Sequence, residues 1–197
     1  MIVIEEVADC FPIAAFLAAE FESTRWGDQI RWHLFRINRT SALVQHPNYT
    51  NAQENLDRRT VLSAYRGYPN SLLFQGFPRD VKWFRVRLEP MDFESMRYAN
   101  FSIARDLSRG TLLVKEGAKT VVHVPNLPNG SEHIPGVVTE LRRGHAFPPL
   151  LVVEGPGVPL TLLEGHSRAT AYMIENKTVD VQAYVARSPS MHSWAFR

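Results

Sequence analysis

The sequence predicts an α+β protein in which a small mixed sheet is flanked by helices. Three observations carry this. From Val121 onward, short apolar runs of strand length alternate with segments of helical period. Hydrophobic residues make up 45% of the chain and charged residues 21%, ordinary values for a globular protein. Thirteen prolines and eleven glycines imply many turns but no low-complexity segment.

The same figures exclude several classes. The apolar fraction can support a core, which argues against chain-wide disorder. Lys and Arg number 22 against 20 Asp and Glu, so the net charge is +2. That balance does not suggest a coat of basic residues for nucleic acid. A single cysteine, Cys10, excludes an intramolecular disulfide framework and an all-cysteine zinc site. The 197 residues suit one domain, or a compact module with a sizeable extension. The texture places that division near residue 118, with an extension over 1–118 and a core over 119–197.

Within the extension, Ile13 to Glu22 reads as a helix. Its apolar run, Phe11 to Ala19, resembles a signal-peptide core in length. However, Glu5, Glu6 and Asp9 stand where such a peptide carries Lys or Arg. A bilayer span needs about 20 apolar residues, so no membrane association is expected and the cytoplasm is the expected compartment. TRWGDQIRWHLFRI follows, rich in arginines and aromatics. The polar stretch after it reads as loop, with a helix from Ala52 to Tyr65. Ser71–Phe74 reads as a short strand among turn residues. Val81–Leu88 reads as a strand, β-branched and aromatic between Pro78 and Pro90. Asp92 is placed as the N-cap of the next helix, and another helix covers Ser108 to Lys119.

The core is more regular. Val121–Val124 reads as a short strand ending at Pro125. Ile134 to Arg143 reads as a helix, with Ile134, Val137, Val138 and Leu141 at i, i+3, i+4 and i+7, and Gly144 follows it. Leu150–Val153 is an apolar run suited to a buried strand. EGPGVP is a turn, and Leu160–Leu163 a second strand. Gly165 to Glu175 is helical. Val179, Val181, Ala183 and Val185 alternate as in a final strand. The predicted order is strand, helix, strand, strand, helix, strand.

The junction LTLLEGHSRATAYM is the most informative point. An apolar strand ends at Leu163 and a helix begins within a few residues. The unbonded N–H groups of a helix's first turn attract anions, helped by the helix dipole. Gly165 lets the backbone approach closely. Arg168 offers a planar fork of donors, and Ser167 and Thr170 add hydroxyls. Together these residues form a phosphate cradle. A purely structural turn between strand and helix would also use a Gly and a Ser.

With PPLLVVE before it and LLEGHSRATAYM through it, the segment from about Val121 to Arg187 resembles the ParB/sulfiredoxin-like superfamily. The shared pattern is a helix, a proline-led strand, a hairpin, a strand ending in a G-x-x-R turn and a helix with small residues. The resemblance implies that Gly165, His166, Ser167 and Arg168 bind nucleotide phosphates. His166 stands where sulfiredoxins carry their cysteine, so that chemistry is not expected. Only about ten residues follow the final strand, leaving no room for the helix-turn-helix of partition proteins. EGHSRATA is most similar to the free serine kinase branch, which has Asp-Gly-His-His-Arg. Glu164 and Ser167 depart from it.

The resemblance therefore implies a nucleotide such as ATP, ADP or CTP, with Mg²⁺ beside its phosphates, and phosphoryl transfer or nucleotide hydrolysis. Arg168 and the turn amides would hold phosphate. His166 would contact phosphate or relay a proton, and Glu164 would bind metal or the acceptor. Glu132, before the first core helix, matches the place of the branch's acid and would serve as general base, as would suit a phosphoryl acceptor. The ligand is then a nucleotide or a phosphorylated small molecule.

His123, His133 and His145 lack a recognised zinc spacing and read as surface or packing residues. Arg25, Trp26, Arg31, Trp32, Arg36 and Arg39 interleave cations with aromatics, as in proteins that bind single-stranded nucleic acid. Trp32 and Phe35 nevertheless read as core. The stretch would cover the sheet or form the surface of a homodimer, and nucleic acid is the less favoured partner.

Overall fold

Strand and helix order follow from which segments are apolar on both sides. LLVV in Leu150–Gly155 (β3) and VQAYVAR in Val181–Arg187 (β5) bury most of their side chains, and both lie inside the sheet. β5 pairs antiparallel with Lys82–Leu88 (β2) and parallel with β3. Ile2–Val7 (β1) flanks β2, and Val158–Glu164 (β4) flanks β3, both antiparallel. The result is an open, mixed five-stranded sheet in the order β1-β2-β5-β3-β4, with nine α-helices. The structure, a computed structural model, describes all residues 1–197.

Helices cover both faces. On one side lie Cys10–Phe21 (α1), Gly27–Arg36 (α2), Ala42–Gln45 (α3) and Ala52–Arg66 (α4). Their apolar residues, among them Phe16, Leu17, Ile30 and Leu62, pack with Trp83, Leu151, Val153, Leu163 and Tyr184 of the sheet. On the other side lie Pro90–Ser95 (α5), Ser102–Leu107 (α6), Val114–His123 (α7), Ile134–Arg142 (α8) and His166–Ile174 (α9). They enclose Val86, Leu88, Leu150, Val152, Leu162, Ala183 and Val185. The sheet thus takes β1 and β2 from residues 1–118 and β3, β4 and β5 from 119–197, and α7 runs across the boundary. No helix is long and apolar enough to cross a membrane.

Several elements differ from expectation, each for a physical reason. Val121–Val124 is not a strand: Val121 to His123 form the last turn of α7. Packing of α7 and α8 against α9 outweighs the β preference of three valines. The helix expected from Ser108 begins only at Val114. Ser108 instead ends α6, with its Oγ donating to Ala104 O and accepting from Leu112 N–H, and Arg109 and Leu112 take positive φ. Ser71–Phe74 is a 3-10 turn over Leu72–Phe74, entered at Leu72 with φ +48°. Glu89 rather than Asp92 is the N-cap of α5. Asp92 is the third helical residue and accepts from Glu89 N–H at 2.8 Å, completing a capping box. Val179 lies outside the final strand and is exposed. Trp32 and Phe35 are exposed rather than core, because α2 turns Ile30 and Leu34 inward.

Candidate ligand site at the start of the last helix

The junction singled out in the sequence forms as a strand, a one-residue turn and a helix. β4 ends at Glu164, Gly165 has φ +103°, and α9 starts at His166. No side chain caps the first turn of α9. Only glycine suits Gly165: φ is left-handed, and a Cβ would stand 2.5 Å from Leu150 Cδ2 and 3.1 Å from Arg168 Nη2.

Arg168 does not present its guanidinium to solvent. It is 7% exposed. Nη2 donates to the Glu164 carboxylate, and Nη1 donates to the carbonyls of Pro148 and Pro149, the latter at 3.2 Å. The expected phosphate fork is therefore an internal clasp, joining the end of β4 to the proline-led entry of β3. Glu164, expected to bind metal or the acceptor, is the other half of that clasp. Burial pushes its carboxyl upward, and the Arg168 charge opposes the shift.

A second ion pair lies beneath. Glu20 of α1 is buried and accepts from Tyr65 Oη at 2.8 Å and from Arg66 Nε at 3.0 Å. Arg66 rests on the Trp26 ring, 3.9 Å from its centroid. Glu20 and Arg66 are close enough to act on the ionisation of Glu164. Two glutamates and two arginines thus balance to zero charge, so neither arginine is a free cation. A buried charge is tolerated only when paired in this way.

His166 sits between the pairs and an aromatic wall. Its ring stacks on Tyr98 at 5.9 Å and lies 6.0 Å from Phe101. Nε2 accepts from Ala99 N–H at 3.3 Å, which places the ring proton on Nδ1. Burial, with Arg66 and Arg168 nearby, depresses its pKa to about 3. His166 is therefore neutral near pH 7 and does not relay protons by titrating there. It remains a donor through Nδ1. Thr170, expected to offer a hydroxyl to phosphate, is fully buried. Its Oγ1 donates to His166 O at 2.8 Å and contacts Tyr98 Oη at 2.6 Å.

Two groups remain at the mouth. Ser167 Oγ lies 2.7 Å from His133 Nε2. The His133 pKa is lowered, mainly by loss of solvation, with Glu132 opposing the shift and Arg25 adding to it. Glu132 is exposed and accepts from Gly130 N–H at 2.7 Å. The contact with Ser167 thus brings His133 to the turn, whereas Glu132, its neighbour in sequence, is bonded to Gly130 and touches no residue of the turn. Comparison with family models, curated proteins and solved structures returned no match.

No group of three His, Cys, Asp or Glu side chains is arranged to hold a metal. With Glu164 engaged by Arg168, the residues do not fit a resident Mg²⁺. An ion accompanying a nucleotide would depend on phosphate oxygens and water for its ligands.

The sequence reading missed Glu20, Tyr65, Arg66 and Tyr98, and placed His133 among ordinary histidines. Glu20 alone carried a signal: it is the one charged residue within CFPIAAFLAAEF. The others reach the site only through the folding of distant segments.

Proposed function

We propose that the start of α9 binds the phosphate of a nucleotide or phosphorylated small molecule, within a ParB/sulfiredoxin-like core. The observation that carries the reading is the uncapped first turn of α9 behind Gly165, with Ser167 and His133 paired at its mouth. Amides of the first turn and the Ser167 hydroxyl supply donors, and the helix dipole supplies the positive field that the neutralised arginines do not. His166 adds one Nδ1–H donor without charge. Arg168 acts as a positioning residue, holding Glu164 and the entry of β3 so that the turn stays open.

For ATP, ADP or CTP the reaction class is phosphoryl transfer or hydrolysis. His133, paired with Ser167, is the group at the mouth positioned to take a proton from an attacking hydroxyl or water, and Glu132 beside it in sequence is the second candidate. A melting-temperature screen with nucleoside di- and triphosphates, with and without Mg²⁺, tests the reading. Ligand at one hundred times its Kd should stabilise the fold by about 2.7 kcal/mol. Ser167→Ala and His133→Ala should weaken that shift while leaving the unliganded melting temperature nearly unchanged. Absence of any shift across the screen would overturn the reading.

A further inference from the structure

The outer face of α2 is the largest departure from expectation outside the turn. Trp32 is 52% exposed and Phe35 79% exposed. Leaving two large rings in water forfeits the burial free energy that their size would otherwise provide. At 100° per residue, Trp32, Phe35 and Arg36 fall on one face, opposite the buried Ile30 and Leu34. Arg36 lies over the Trp32 ring, 5.1 Å from its centroid. Beside Phe35 runs an open groove of about 380 Å³, lined by Phe21, Arg31, Leu34, Phe35, Arg39 and Ser41.

The charge of this face selects its partner. Arg25–Arg39 contains four arginines and one acid, Asp28. Asp28 and Glu22 hold Arg31 at the N-terminal end of α2, at 3.2 and 3.7 Å. Arg39 pairs with Asp57 at 2.5 Å. Arg36 makes no ion pair, and it stands beside the exposed rings. Flat aromatic surfaces next to guanidinium groups suit a chain that offers flat rings and anions in alternation. Bases stack on aromatics regardless of sequence, and arginine meets the phosphates between them.

We propose that the outer face of α2 binds single-stranded nucleic acid, with Trp32 and Phe35 as the stacking platform and Arg36 as the principal phosphate contact. Stacking needs unpaired bases, so a duplex engages the face only through its phosphates. The site is separate from the start of α9 and does not rest on the function proposed there.

Fluorescence anisotropy with a labelled thymidine oligonucleotide of about twelve residues, spanning several stacked bases, tests this with the full chain. The single strand should bind more tightly than the duplex of the same length. Affinity should fall roughly tenfold or more between about 50 and 200 mM salt if about three phosphates are contacted. Trp32→Ala and Phe35→Ala should each weaken binding by about tenfold or more. Arg36→Ala should weaken it and flatten the salt dependence. Ser167→Ala should leave it unchanged, which separates this surface from the phosphate turn. Circular dichroism of each variant checks folding. Absence of binding, equal affinity for single strand and duplex, or loss of binding in Ser167→Ala alone would overturn the proposal. Equal binding of polyglutamate, indifferent to Trp32→Ala, would assign the face to acidic peptides instead. Concentration-dependent dimerisation abolished by Phe35→Asp would assign it to a second copy.

Discussion

At the start of α9 an arginine faces inward, whereas on α2 two aromatic rings face outward. Arg168 has a carboxylate and two carbonyl groups around it and little solvent. Trp32 has water, the Arg36 guanidinium and the edge of the His33 ring, and Phe35 is mostly in water. Each region inverts the usual partition of polar and apolar groups. The physical difference is satisfaction. The buried arginine meets partners that offset its lost hydration, so it contributes to structure. The exposed rings are only partly compensated within the chain, Trp32 by Arg36 and by the edge of His33, and much of their apolar surface stays in water. A buried polar residue with all its bonds made is thus weaker evidence for a ligand than a ring left largely in water.

The strongest way to break this contrast is Arg168→Ala. Removing the guanidinium leaves Glu164 largely buried without its counter-charge and frees the Pro148 and Pro149 carbonyls. A loss of about 3–5 kcal/mol is expected in denaturant unfolding. A loss below about 0.5 kcal/mol, the level of an ordinary surface change, would show that the clasp does not hold the turn.

Acid stability comes next. The folded-state pKa of His166, about 3, lies below its ordinary value near 6.5. Between these limits the unfolded chain takes up a proton that the folded chain excludes. The His166 contribution is therefore intact above about pH 6.5 and is lost as pH falls towards 3, by an amount on the order of a few kcal/mol. Melting temperature against pH reads this limb. His166→Gln should flatten it, and an unchanged limb would show that another group carries the acid dependence.

Gly165→Ala sharpens the comparison at the backbone. A left-handed φ and a Cβ pressed on Leu150 should cost about 1–3 kcal/mol. Equal stability of the two proteins would mean that the turn can relax. The smallest effect belongs to α2. Phe35→Ala should change stability by no more than about 0.5 kcal/mol in the same unfolding experiment, and Trp32→Ala by little more, since both rings lie outside the core and only Trp32 has ring contacts, with His33 and Arg36. A loss of several kcal/mol would place the rings in the core after all.

Legibility in the sequence followed the range of the interactions. The β4–α9 junction was readable because an apolar run, a glycine and a helical period adjoin within a dozen residues. α8 and β5 were readable from their periods, and α4 from its extent between turns. β1 was not, because Ile2, Val3 and Ile4 are all partly exposed on an edge strand and show no alternation of burial. The end of α7 was misread because three valines carry a strand preference that packing against α9 overrides. The site divided in the same way. Ser167 and Gly165 stand where the motif put them. Thr170 is turned away by Tyr98, a partner 72 positions distant.

The sequence by itself determined that a strand, a glycine turn and a helix meet at residue 165, because those signals are local. It also showed that the stretch around Trp32 interleaves arginines with aromatics, but not that it is a helix with Ile30 and Leu34 on one side and Trp32 and Phe35 on the other. Only the tertiary structure decided which pair is buried and which way Arg168 points. Both outcomes depend on groups brought from far along the chain: α1 and α4 against α2, and Pro148 and Pro149 against Arg168. A side chain's partners are fixed by packing, and local pattern cannot supply neighbours that arrive only when the chain closes on itself.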